Sequence, residues 1–236
     1  MTVCDKCSVL PRSAGAKDTL AALIVLATLT TFALPGLASA GEIHATVRDQ
    51  GGKPVEDAVV LALPVDRKAF EAAKPVRQVV DQVDKEFVPY VRAIFVGTSV
   101  FFPNKDNIRH HVYSFSPAKK FELPLYSGTS APPVLFDKAG VVVLGCNIHD
   151  WMLGYIYVAE TPFFAKTEKD GLATLEGLPP GEYQLRVWHP DMAQSEQATL
   201  QRLTLADKAL PVAWSLALKT SFRVPRPTGS RNLGYR

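Results

Sequence analysis

From residue 42 to residue 220 the apolar positions fall in short runs of four to eight, rich in Val, Ile, Phe and Tyr and broken by Gly, Pro, Asn and Asp. That spacing predicts strands throughout and an all-β chain. Residues 42–64, EIHATVRDQGGKPVEDAVVLALP, hold two β-rich runs around Asp49-Gln50-Gly51-Gly52, a turn composition that suits a hairpin or the start of a Greek key. Residues 65–75 carry an Ala, Lys and Glu cluster before Pro75 and are expected to be a connector with a short helical turn. Between residues 76 and 160 come RQVVDQV, YVRAIFV, SVFFPN, HHVYSFS, PVLFD, VVVLGC and YIYVA, the pattern of an antiparallel sandwich. After Thr161 the alternation resumes, with turns at Lys169-Asp170-Gly171 and Leu178-Pro179-Pro180-Gly181. Residues 221–236 have four arginines and no apolar period, and read as a flexible basic tail.

The first 40 residues depart from this pattern. Lys6, Arg12 and Lys17 precede an apolar run from Leu20 to Leu34, and Ala38-Ser39-Ala40 follows it. This is the order of a secretory signal peptide, with cleavage expected after Ala40 and a periplasmic or secreted mature chain. The run is short for a membrane anchor, which needs about 20 residues, so the mature form is not expected to span a membrane. The net charge of +3 over 236 residues gives no footprint for nucleic acid, which is excluded as an expected partner.

Cysteine use changes the picture. Cys4 and Cys7 lie in the leader, so Cys146 is the one thiol of the mature chain and has no intramolecular partner for a disulfide. A lone thiol in an oxidising compartment is either a buried core residue or a protected one, and a bound metal protects. Around it stands Cys146-Asn-Ile-His149-Asp-Trp-Met152, a short loop between two predicted strands that carries thiolate, imidazole and thioether donors. Together these types select copper, because soft donors stabilise Cu(I) and imidazole suits both oxidation states. Zinc is the next metal, but it favours four strong ligands and the fourth here would be a thioether. A second imidazole would complete a trigonal plane, and both His110 and His111 are candidates. Strand alternation allows only one of them to face the metal.

These residues resemble the cupredoxins. His110-His111-Val112 fills the first ligand motif, and Cys146, His149 and Met152 fill the second with the spacing of the short amicyanin loop. FDKAGVVVLGC and IFVGTSVFFPNKD are similar to the family's other signatures. The resemblance implies a Greek-key β-sandwich over residues 76–160 and one type 1 copper held by His110, Cys146, His149 and, weakly, Met152. It also implies single-electron transfer with a redox partner protein and no enzymatic turnover, with His149 at an apolar patch to which Trp151, Met152 and Leu153 would contribute. His111 stands where the family has Asn, and Ile148 replaces a Pro.

TVRDQGGKPVEDAVV and TEKDGLATLEGLPPGEYQLRV resemble opposite ends of a carboxypeptidase regulatory-like, Ig-type β domain. The resemblance implies a discontinuous sandwich of residues 41–64 plus 161–220, with the cupredoxin inserted in it or packed on it. His189 and His44 are read as structural. The alternative function is copper handling or delivery without electron transfer, which a spare histidine at position 111 would serve.

Overall fold

The computed structural model describes residues 41–66, 74, 76–128, 132–206 and 208–220; the leader, most of the connector and the basic tail lie outside the described residues. Strands β1 (Gly41–Asp49) and β2 (Val59–Pro64) come first. Next are β3 (Gln78–Val79), β4 (Asp81–Val83), β5 (Glu86–Val88), β6 (Val91–Phe95) and β7 (Thr98–Phe101). They are followed by β8 (His110–Ser116), β9 (Lys119–Tyr126), β10 (Val134–Phe136), β11 (Gly140–Gly145) and β12 (Leu153–Ala159). The last are β13 (Phe164–Lys166), β14 (Leu172–Leu178), β15 (Gly181–Trp188), β16 (Gln201–Leu205) and β17 (Leu210–Leu216), with a single 3-10 turn at Glu196–Thr199. The described chain is nearly all β, and its middle portion is a two-sheet β-sandwich.

In that sandwich a five-stranded sheet, β6-β12-β11-β8-β9, and a three-stranded sheet, β10-β7-β3, enclose one core. Strand periodicity explains it. Val112 and Ser114 on β8, Val142 and Leu144 on β11, and Ile156 and Val158 on β12 alternate inward and are all buried. Opposite them lie Val100 of β7 and Phe136 of β10.

A second core joins the first and last strands of the described residues. Ile43, Ala45 and Val47 of β1 pack with Leu175, Tyr183, Leu185 and Leu216. The sheets around it are β14-β1-β17 and β13-β2-β15-β16. The turn at Asp49–Gly52 closes only a short hairpin, through an antiparallel bridge between Arg48 and Pro54, and does not pair β1 with β2: β1 pairs with β14 and β17, while β2 crosses to the other sheet and pairs with β13 and β15. The reason lies in β2 itself, all six of whose residues are buried. Val60 and Ala62 face the second core, whereas Val59 and Leu61 pack on Val91, Tyr157 and Ala159 of the five-stranded sheet. A strand covered on both faces needs a continuous apolar run, and VVLALP supplies one. Trp188 adds to this contact, with its ring centroid 5.3 Å from Tyr157 and 5.9 Å from Tyr155.

Candidate metal centre

The end of β11, the start of β8 and the loop Cys146–Met152 converge at one end of the five-stranded sheet. β11 pairs with β8 through Gly145 and Tyr113, which brings Cys146 level with the first residues of β8. His110, Cys146 and His149 thus come together with one donor atom from each within 4.8 Å of the others. Cys146 Sγ lies 4.0 Å from His110 Nδ1 and 3.8 Å from His149 Nδ1. Donors bound at about 2.0 Å (imidazole) and about 2.3 Å (thiolate), and about 120° apart, stand about 3.8 Å from each other. The spacing therefore fits a trigonal metal plane using both Nδ1 atoms. Met152 closes the loop, its N–H donating to the His149 carbonyl at 2.9 Å, and is 1% exposed.

Of the two adjacent histidines, His110 faces Cys146. His111 points to the other face of β8, where its Nε2 is 2.9 Å from Glu122 Oε1, a close contact that is not an aligned hydrogen bond. Its main chain still serves the site, because the backbone N–H groups of His111 and Ile148 help to draw the Cys146 thiol pKa down. His189 and His44 lie elsewhere. The buried His189 accepts the Asp191 N–H at 3.1 Å, and the half-exposed His44 lies 3.6 Å from Glu42.

Sequence reasoning missed the support behind His110. Its Nε2 is 2.7 Å from Asp106 Oδ2, leaving Nδ1 for the cluster. The Asp106 carboxylate also accepts the N–H groups of Asp84 at 2.7 Å and Lys85 at 2.8 Å, and its own N–H donates to Asn104 Oδ1 at 3.0 Å. Buried Asn104 ties the same loop down by donating to the carbonyls of Ile108 and Tyr126. The signal was an Asp four residues before a ligand-type His, in a loop read only as polar.

Electrostatics follow from this packing. Burial opposes charging His110, but the Cys146 sulfur and the Asp106 carboxylate outweigh it and raise its pKa. Burial also resists ionising Cys146, yet His110 and the two backbone N–H donors draw its pKa down. For Asp106, burial is outweighed by the His110 bond and the backbone N–H groups, so its pKa is lowered. Burial, then the charge of His110, lowers His149. The shifts favour the thiolate of Cys146 and the neutral ring of His149, the forms that bind a metal.

The surface near His149 differs from the expected patch. Met152 is buried and Trp151 is half-buried, its ring 5.2 Å from His149; the exposed apolar residue is Ile148, at 47%.

No protein-family model and no curated protein matches the chain. Similar solved structures include a copper-containing nitrite reductase from Thermus scotoductus SA-01, at 31% identity over 42% of this chain and 25% of that one, TM-score 0.35. Others are a purple cupredoxin from Nitrosopumilus maritimus, at 23% identity over 36% of this chain and all of that one, TM-score 0.31, and a reduced amicyanin variant, at 23% identity over 42% and 98%, TM-score 0.33. The chain thus spans about a quarter of the nitrite reductase. The structural neighbours are cupredoxins, and the His-Cys-His cluster fits a copper site.

Proposed function

We propose that this chain is an exported type 1 copper protein that carries single electrons between redox partner proteins. One observation carries the reading: a thiol and two imidazole Nδ1 atoms stand at trigonal ligand spacing, with a buried Met three residues beyond the second histidine. Copper bound there would supply a reversible one-electron couple. His110 and Cys146 are buried and hold water away from it, while Asp106 and Asn104 fix the His110 ring and its loop. A rigid donor set that suits both oxidation states lowers the reorganisation that accompanies transfer. His149, half-buried beside exposed Ile148, is the edge through which electrons pass.

In this reading Met152 would be a weak fourth ligand, and the second sandwich is a regulatory-like scaffold that steadies the five-stranded sheet. His111, turned to Glu122, is not a spare ligand, which favours a carrier over a delivery protein. Export rests on the leader; among the described residues no helix is long and apolar enough to cross a membrane.

The test is to load the protein with Cu(II) and record visible absorption and EPR, with Cys146→Ser beside it. An intense thiolate-to-copper band lost in the variant is expected. An unchanged spectrum in Cys146→Ser, or no such band in the parent, overturns the assignment.

A further inference from the structure

A cavity of about 550 Å³ opens between the two sandwiches, within the size range of small-molecule sites. Its two walls differ in kind. The wall from the second sandwich is charged: Glu56 and Asp57 lie just before β2, Lys166 ends β13, and Lys169 stands in the turn that follows. The wall from the copper-site sandwich is apolar and aromatic, made by Val88, Pro89, Tyr90, Trp151 and Leu153. Glu86 also lines it and is already engaged.

The charged wall is fixed in place and offers both signs. Asp57, held at a positive φ of 63°, donates its N–H to the Thr167 carbonyl at 3.1 Å, and its carboxylate accepts Lys166 Nζ at 2.7 Å. The next N–H, of Ala58, donates to Thr167 Oγ1 at 2.9 Å. Glu56 and Lys169 are exposed and have no ion-pair partner among the described residues. Unpaired charges of both signs beside a built ion pair suit a ligand head that is itself zwitterionic; a lone cation would face the lysines, and a lone anion the carboxylates.

The other wall is held as firmly. Tyr90 packs edge-on against Tyr155 with centroids 5.4 Å apart, and Trp151 packs on His149 at 5.2 Å. The Trp151 indole N–H is buried with no acceptor among the described residues, a cost that a ligand oxygen would remove. Of the loop Cys146–Met152, only Trp151 lines the cavity.

We propose that this cleft binds an apolar α-amino acid. Its ammonium meets Glu56 and Asp57, its carboxylate meets Lys169 and the Trp151 N–H, and its side chain lies on Pro89, Tyr90 and Leu153. Binding is non-covalent and needs no copper, so it stands apart from the electron-carrier reading. The second sandwich then does more than steady its neighbour: it supplies the charged half of a ligand site beside the copper loop.

The test uses L-phenylalanine as the probe, with phenethylamine (no carboxylate), 3-phenylpropionate (no ammonium) and glycine (no apolar side chain) beside it. Titration calorimetry is run on the full chain without metal and in its Cu(I) form, because free amino acids chelate Cu(II). Saturable binding of phenylalanine is expected, with each analogue at least about tenfold weaker, since each gives up charge-assisted hydrogen bonds or apolar contact. Lys169→Glu and Glu56→Lys alter exposed side chains and should each weaken phenylalanine by about threefold to tenfold. Trp151→Phe keeps a ring but not the N–H, and should weaken it by about threefold with the thiolate-to-copper band retained. No saturable binding, equal affinity for phenylalanine and any analogue, or full affinity in both charge variants would overturn the proposal. None of these results touches the copper assignment, which absence of the band in the parent would sink instead.

Discussion

Replacing Asp106 with Asn tests the support behind His110 quantitatively. The substitution keeps one oxygen, which can still accept the Asp84 N–H, but gives up the second acceptor that Lys85 N–H shares with His110 and removes a full negative charge whose oxygen is 2.7 Å from His110 Nε2. Adding the width of the ring and an imidazole–metal bond of about 2.0 Å places that charge roughly 6 to 7 Å from a metal on Nδ1. Two unit charges at that separation interact by about 2.5 kcal/mol at an effective dielectric near 20. Oxidised copper carries one more positive charge than reduced copper, so losing Asp106 destabilises Cu(II) by about that amount relative to Cu(I). For a one-electron couple this is about 100 mV, and the carboxylate's 12% exposure trims it by screening. The reduction potential is therefore expected to rise by about 50 to 100 mV in Asp106→Asn, read by spectroelectrochemical titration. A fall in potential, or a rise below about 20 mV with the band intact, would refute the placement of this charge.

Proton competition sets the pH dependence of copper loading. His110's raised pKa means that protons compete with metal at Nδ1 to a higher pH than at an ordinary histidine, whereas lowered His149 competes only below it. Affinity, measured against a chelator, should rise with pH and level off above the usual histidine range of about 6.5; Asp106→Asn should move that levelling to lower pH, and an unmoved profile would contradict it. Gly145→Ala drives a Cβ into the Tyr113 ring, and urea denaturation should show a loss of about 1 to 3 kcal/mol, with no loss counting against the close contact. Tyr157→Phe removes the hydroxyl that donates to Glu196 at 2.9 Å between the two sandwiches, and should cost about 1 to 2 kcal/mol in the same assay; an equally stable variant would show that this bond contributes nothing.

Particular residues show what the sequence could and could not reveal. VVVLGC and YIYVA are legible as β11 and β12 because apolar density and flanking turns mark them, and they frame the Cys146 loop. Alternation alone implied that His110 and His111 face opposite ways, but only the pairing of Tyr113 with Gly145 determines which one meets Cys146. The β4–β5 hairpin was illegible. Its central residues, Asp84 and Lys85, adopt positive φ of 53° and 61° without the Gly or Asn that usually signals such a turn. The turn is held from outside instead, by the Asp106 carboxylate on its two N–H groups, a contact 21 or 22 residues away in sequence. Met152, read both as a weak ligand and as part of an apolar patch, is buried and so adds nothing to the patch, because the tight turn onto the His149 carbonyl folds it inward and leaves Ile148 exposed. The run VVLALP was read as a simple strand; its burial on both faces depends on a second sheet that no local pattern announces.

The most direct test of the carrier reading is whether one bound copper survives repeated redox cycling. Copper-loaded protein should be reduced with ascorbate, passed through a desalting column, reoxidised with hexacyanoferrate(III) and assayed for metal over several cycles. The account predicts one electron taken up and returned per copper, with the band restored and the metal retained each time. Loss of copper on reduction, or a band that does not return, would contradict electron transfer and make copper delivery the function of the site.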